Sequence, residues 1–406
     1  MNIDKLCPYF SMMHKSLLSL MLFLATAASA QTYSFIELGT IAGGDWRSSG
    51  GPYSYTFGIN NSGEIVGRST KSFLTVLQSG TSHAAKWTAT TVADLGTLGG
   101  SNSGATAINT DGKIVGYSTT ATGREHATLF AGGSNIDLGT LGAGYIKSRA
   151  TGINSSGVIV GYSSASDNVL SERATLWNGS STTDLGTIGG TYGRATGIND
   201  SGQAVGYSAT IGNQRSHATI WSHTIPVDLG TLGGNYSFAS AINNIGRIVG
   251  HSQTTGDTSS HAALWSGGNA LDLGTLGGTW SEALSINNSS HIVGWSYTTA
   301  NAEQHATLWT ENGSLDLNLA VANLEDGWIL QNASAINDHG WITGQAINSF
   351  TGANVAYLLI PTLIPEPTSL LLLLFGLGCI KIVIRSRTLR NEIPNLTNNF
   401  YPLKAG

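Results

Sequence analysis

Two residue types recur at fixed spacing and could do chemistry. Asp94, Asp137, Asp184, Asp228 and Asp272 each open the string D-L-G-T-[LI]-G-G, with Ala143 inserted in the second copy. His83, His126, His217, His261 and His305 each open H-A-x-[LI]-[WF]; Lys86 takes the aliphatic place in the first, and Arg173 replaces the histidine in a sixth copy. A carboxylate and an imidazole can together hold a metal or move a proton. One of each per repeat, however, would stand far apart around a ring, whereas zinc needs ligands converging on one point. An Asp also caps backbone amides where a strand enters a glycine-rich loop, and one His per repeat suits a strand-edge hydrogen bond. No H-E-x-x-H and no phosphate loop occurs, and Gly161-Tyr162-Ser163 lacks the x-Gly that would complete a nucleophile elbow. No catalytic residue, metal ligand or cofactor is therefore assigned.

A second set of positions suits binding. Two residues past a Gly-Gly pair stand Trp46, Asn102, Tyr192, Tyr236 and Trp280, and Tyr145 directly follows Gly144 of the interrupted pair. No strand periodicity demands an aromatic there. Trp46, Tyr145, Tyr192, Tyr236 and Trp280 are the candidate ligand-binding residues, a ring of aromatics rimmed by variable polar loops. Such a ring could stack on sugar rings. The alternative is that each aromatic wedges between neighbouring repeats.

These residues need a scaffold that repeats. Its first element, I-N-x-x-G-x-[IA]-[VT]-G, begins at Ile59, Ile108, Ile153, Ile198, Ile242, Ile286 and Ile336, with Ser290 in place of glycine in the sixth copy. Asn there can hydrogen-bond the backbone two residues on, and Gly takes the left-handed position, so the string reads as a hairpin turn between two strands. His-Ala-Thr-Leu-Trp supplies a third strand, with Asn354 to Leu358 as its degenerate seventh copy, and the residues leading into Asp-Leu-Gly supply a fourth. Four strands in about 44 residues match a β-propeller blade. The array opens with a lone fourth-type strand, Tyr33 to Gly39, and ends with three strands. Pairing those ends completes a blade and removes both sheet edges. The expected fold is all-β: a closed seven-bladed β-propeller of four-stranded blades over residues 31–363, with an open β-solenoid as the alternative.

The composition agrees. The chain has 53 Gly and 11% charged residues, which argues for short strands and tight turns. Between Gln31 and Ile364 stand 21 acidic and 12 basic residues with no Lys/Arg cluster, so nucleic acid is not an expected partner. The two cysteines, Cys7 and Cys379, lie in terminal segments, which leaves the repeats without a disulfide.

The ends read as addresses. In residues 1–30, Lys15 precedes an apolar core from Leu17 to Ala25, and Ala28-Ser29-Ala30 forms a small-x-small cleavage site, so signal peptidase should release the chain at Gln31. In residues 364–390, Pro365-Glu366-Pro367 precedes an apolar stretch, Leu370 to Ile384, closed by Arg385, Arg387 and Arg390. A stretch of about 15 residues spans a bilayer marginally. Residues 391–406 form a cytoplasmic tail.

The tripartite C-terminus resembles the PEP-CTERM sorting signal, and the repeat strings resemble the HAF repeat family of extracellular bacterial proteins across nearly the whole mature chain. The first resemblance implies processing at Pro365-Glu366-Pro367 by an exosortase-like protease, transient residence in the inner membrane of a Gram-negative cell, and an association with exopolysaccharide. The second implies an extracellular location and little about activity. The expected protein is a monomeric, exported, non-catalytic surface or matrix protein contacting exopolysaccharide. The alternatives are a secreted propeller hydrolase or lyase acting on glycans and a structural or protein-docking propeller.

Overall fold

The computed structural model of the chain describes residues 31–42, 53–74, 79–88 and 91–362. Ala28, Ala30, Trp46, Pro365, Glu366, Pro367 and the apolar stretch from Leu370 to Ile384 lie outside the described residues. Tyr33–Pro361 forms one compact unit.

Each repeat folds locally before it packs. In the third, strands Lys147–Ile153, Ile159–Ser164, Glu172–Asn178 and Ser181–Asp184 pair antiparallel in chain order. The Ile-Asn turn joins the first two. Asn154 accepts the Val158 amide on Oδ1 at 2.9 Å, and the Gly157 amide donates to the Asn154 carbonyl at 3.0 Å. Gly157 sits at φ +84°, where any side chain would be strained. Ser290, which replaces this glycine in the sixth repeat, adopts the same left-handed geometry at φ +67°. A bulge between Ala150 and Gly152 then brings the first strand so close to the second that a Cβ on Gly161 would lie 2.0 Å from the Arg149 carbonyl oxygen. The last glycine of the Ile-Asn string is therefore a steric requirement.

Among the described residues, 28 strands form five four-stranded sheets and one eight-stranded sheet. The eight-stranded sheet is two four-stranded sets joined by the single parallel pair Ser260↔Trp280. The sets occupy residues 54–94, 99–139, 147–184, 189–228, 233–274 and 277–316, and the last combines 328–362 with Thr32–Leu38. In that order they are units one to seven. First strands of successive units pack on one another, and those of the first and seventh units also meet. This is a β-propeller, with first strands innermost. In the seventh unit, Val355 pairs with Ala346 and Leu359 with Ile342, so the third-strand string runs from Val355 to Leu359. The expected alignment from Asn354 to Leu358 is one residue out of register, on a strand whose Val355 to Leu359 are buried on both faces and so carry no alternation to fix it.

The core lies between units. Trp177 packs with Ala150, Ile153 and Ile159 of its own unit and with Val115 and Ala127 of the one before. Trp221 and Trp265 repeat the arrangement. Each tryptophan thus cements an interface, and removing one would cost about 3–5 kcal/mol.

Polar side chains close the ring at the axis. The Nδ2 of each turn Asn donates to the carbonyl of the equivalent Asn in the next unit. The bonds run Asn60 to Asn109 (3.3 Å), Asn109 to Asn154 (3.0 Å), Asn154 to Asn199 (3.2 Å) and Asn199 to Asn243 (3.3 Å). They continue from Asn243 to Asn287, from Asn287 to Asn337 and from Asn337 back to Asn60, each at 3.1 Å.

Two outcomes are expected for stability. Deleting Tyr33 to Thr40 removes a strand that buries Tyr33 and Leu38, and should make the protein aggregate or melt more than about 10 °C lower; an unchanged melting temperature would refute closure by pairing of the ends. Replacing Asn154 by Asp keeps the turn acceptor but removes the donor to Asn199, setting a buried carboxylate oxygen against a carbonyl that then keeps only the Gly202 amide. Denaturant unfolding should show a loss of about 1–3 kcal/mol. Equal stability of the Asp variant would mean that the ring of amides contributes nothing.

Candidate functional site

Three features compete as the functional site. The first is axial. The seven Ile-Asn turns surround a cavity of ≈ 190 Å³ lined by Ile59, Ile153 and their equivalents together with the residues after each Asn. Its ionisable lining residues are Asp200 and Asp338. Burial works to raise the Asp200 carboxyl, but bonds from the Ser155 amide and side chain and from Asn244 outweigh it and hold it below the usual carboxylate value. For Asp338 burial is likewise outweighed by the Asn288 amide, the side chains of Asn61 and Asn288, and nearby His339. These oxygens are therefore occupied in tying units together. Ligand pockets for drug-sized molecules hold about 300–1,000 Å³, so this cavity is small as well as internally bonded.

The second feature is the Asp–His pair. Nδ1 of His83, His126, His217 and His261 lies 2.8 Å from a carboxylate oxygen of Asp94, Asp137, Asp228 and Asp272. His305 lies 2.6 Å from Asp316. The same aspartates accept the amide two residues on, for example that of Gly96 at 2.8 Å, Gly274 at 2.7 Å and, from Asp316, Asn318 at 2.9 Å. In the third unit, Arg173 Nε takes the histidine's place on Asp184 at 3.0 Å. A guanidinium cannot act as a base, yet it fills the position. The pair therefore locks the loop that leaves the fourth strand. Among the described residues, no group of three or more His, Cys, Asp or Glu is placed to hold a metal ion.

The third feature is the aromatic set, which that locked loop carries. In the fifth unit Gly233 adopts φ +102°, and a Cβ on Gly234 would lie 2.6 Å from both the Asp257 Oδ1 and the Gln253 Cβ. The Gly-Gly pair thus lets the loop press against the connection between second and third strands. There a left-handed residue clamps it. Asn213 (φ +58°), Asp257 (φ +57°) and Asn301 (φ +55°) accept the amides of Thr191, Asn235 and Thr279 at 2.8, 2.7 and 2.8 Å. The second side-chain atom completes a bracket: Asn213 and Asn301 donate to Thr191 and Thr279 hydroxyls at 2.9 Å, while Asn235 donates to Asp257. The residue after each bracket is Tyr192, Tyr236 or Trp280.

The five expected aromatics do not form one exposed ring. Tyr192 is only 8% exposed, with its hydroxyl 2.8 Å from Ser216 Oγ. It is an internal wedge, because its ring turns inward to reach that partner. Tyr145 is half-buried, and Trp46 lies outside the described residues. Tyr236 and Trp280 are 37% and 48% exposed. The Tyr236 hydroxyl donates to the Gln214 carbonyl of the preceding unit at 3.1 Å, and the Trp280 backbone pairs with Ser260 of the preceding unit. The brackets and the axial Asn ring were not anticipated from sequence. The second was signalled by Asn, rather than Asp or Ser, in all seven turns.

No family model matches the chain, and no curated protein does. Among solved structures it is similar to TolB from Acinetobacter baumannii, with 11% identity and a TM-score of 0.40 over 79% of this chain and 65% of that one. It is also similar to the β-propeller domain of the trilobed protease from Pyrococcus furiosus, with 12% identity and a TM-score of 0.43 over 65% of this chain and 81% of that one.

Proposed function

We propose that this chain is an exported, non-catalytic surface or matrix propeller that contacts extracellular polysaccharide through Tyr236 and Trp280. The observation that carries the reading is their presentation: two large aromatics, exposed at equivalent places in successive units, on loops pinned by equivalent brackets. A sugar stacked on one ring buries modest apolar area, about 1–2 kcal/mol at ~25 cal/mol per Å². One platform would bind weakly. Adjacent platforms on a rigid scaffold engage one chain together, and multivalency raises avidity by roughly 10²–10⁴. Fixing the rings beforehand also limits the entropy lost on binding.

Export rests on the signal ending at Ala28-Ser29-Ala30 and on the resemblance to PEP-CTERM proteins at Pro365-Glu366-Pro367. Among the described residues no helix is long and apolar enough to cross a membrane. Intact-mass measurement of protein extracted from the host surface should give a chain that starts at Gln31 and ends near Pro365. A surface species that keeps Leu370 to Ile384 would refute the second cleavage.

The binding reading is tested by retention of the exported protein on host exopolysaccharide. Replacing Tyr236 and Trp280 together by Ala should lower retention at least tenfold and lower the melting temperature by only a few degrees, because neither ring belongs to the buried core. Tyr192→Ala should do the opposite, destabilising the fold by about 3–5 kcal/mol through the buried void. Normal retention by the double variant would place any polysaccharide contact elsewhere.

A further inference from the structure

At four successive interfaces one first-strand side chain crosses to the second strand of the preceding unit. Arg149 lies over the Tyr117 ring at 4.0 Å and Arg194 over the Tyr162 ring at 4.2 Å. Phe238 packs on Tyr207 with ring centroids 4.9 Å apart, and Glu282 lies 3.3 Å from His251. The two arginines are also neutralised there. Arg194 donates through Nε and Nη2 to the Glu172 carboxylate at 2.9 and 2.6 Å, and Arg149 donates through the same two atoms to Glu125. Each glutamate opens the third strand of the preceding unit.

The interface between the first and second units lacks both parts. The units do meet: the Ser82 amide donates to Asn102 Oδ1 at 3.2 Å and the Ala84 amide to Ser103 Oγ at 2.8 Å. The next residue, Gly104, is paired with Tyr117 as Arg149 is with Tyr162, so a glycine stands where the crossing side chain belongs. Ser82 precedes His83 as Glu125 precedes His126, so a serine stands where the carboxylate belongs. Facing this place is Arg68. It is paired with Ala84, two residues from Ser82, so both side chains lie on one face of the sheet. The Arg68 guanidinium stacks on Tyr55 at 4.9 Å and, among the described residues, forms no ion pair. Its Nε and the Ser82 Oγ are both buried without a hydrogen-bond partner, while its outer Nη groups reach solvent. The Tyr117 ring lies along Gly104, where a Cβ would be 2.8 Å from the phenol oxygen, and that hydroxyl is also unbonded among the described residues.

We propose that the place left open by Gly104 and Ser82 binds a carboxylate, with Arg68 as the residue that holds it. A half-buried guanidinium without a counter-charge has given up hydration and gained nothing in return. The chain itself shows what fits an arginine at this level of the fold: at the next two interfaces it is a planar carboxylate, bound at two points by the guanidinium fork. Between Gln31 and Ile364 acids outnumber bases 21 to 12, yet none of the described ones is placed on Arg68. The partner therefore comes from outside the fold, reaches the solvent-facing Nη groups, and takes a further bond from the Tyr117 hydroxyl. A uronic acid unit of a glycan and a free organic acid share this group. The site is in units one and two and does not depend on Tyr236 or Trp280.

The test titrates the exported protein at low salt by calorimetry with four probes: galacturonate, acetate, galactose and inorganic phosphate. Galacturonate should bind one to one and galactose, which lacks the carboxylate, should not. Acetate binding as tightly as galacturonate assigns the site to free acids, and weaker acetate binding assigns it to acidic sugars. Arg68→Gln should weaken galacturonate binding about tenfold or more and leave the melting temperature unchanged or higher, since an unpaired charge is removed. Ser82→Glu supplies the carboxylate that Glu125 and Glu172 supply elsewhere. It should occupy Arg68, raise the melting temperature and weaken galacturonate binding to a similar degree. One variant removes the cation and the other satisfies it, so a folding defect in either leaves the other decisive. The inference is overturned by a wild type that binds neither acid, by galactose binding as well as galacturonate, by phosphate binding more tightly than both acids, or by variants that bind as the wild type does. A Tyr236→Ala, Trp280→Ala variant should bind galacturonate normally, so failure of the polysaccharide reading is seen separately.

Discussion

The architecture depends on one side chain used seven times. Each turn Asn does two jobs with two atoms. Its Oδ1 accepts amides of its own turn and sets the hairpin. Its Nδ2 donates to the carbonyl of the next unit, which passes the position of one hairpin to its neighbour. Asp offers the first function without the second, and Ser is too short to offer both. Each bond is worth only about 1 kcal/mol net. The buried tryptophans contribute far more energy, but apolar burial is non-directional. The amide ring supplies what burial lacks, a fixed registration of each unit on the next that closes at Asn60. Glycines such as Gly161 follow from this constraint, because units held this close to the axis need bulged first strands and a second strand without a side chain at the crossing.

That ring also divides the molecule. At the axial turns nearly every polar group is consumed in bonds between units, so this end is uniform and internally satisfied. The opposite loops have no such task. They connect second to third strands and fourth strands to the next unit, and they vary in length and composition. Their shape is held by local devices, the Asp–His lock and the Asn or Asp bracket. Strong constraint at one end permits variation at the other, and variable loops on a rigid scaffold are where recognition generally resides.

Much of this was legible in the sequence. The periodic strings gave the strands, the turn and the cap, because each rests on local chemistry: Gly for a left-handed residue, Asp for exposed amides, alternation for a strand. What was not legible needed neighbours. A hairpin turn accounts for Asn154 taken alone, and only the use of Asn in all seven turns signals its second bond, to another unit. Tyr192 and Tyr236 occupy the same place in the string, yet one ring is buried against Ser216 and the other reaches Gln214 across a unit boundary. Sequence position does not specify which way such a ring turns. The seventh unit misled for a related reason: without His or Trp to mark the register, Asn354 and Val355 were equally good starts, and pairing with Ala346 decided between them.

A ring of equivalent units also constrains what function can look like. Away from the axis, side chains at equivalent positions are separated by a whole unit, so the repeated Asp and His stand as separate pairs, one to a unit. Function must arise either from many weak equivalent contacts or from places where equivalence is broken. Both occur on the loop face of units four to six. The bracket is repeated three times, which argues that its geometry has been kept for a common purpose. Within it, Tyr192 turns inward while Tyr236 and Trp280 stay out, and one amide has become a carboxylate. The scaffold explains why these three loops hold the same shape. Their exposed chemistry differs all the same, and these loops are where the equivalence of the units is broken.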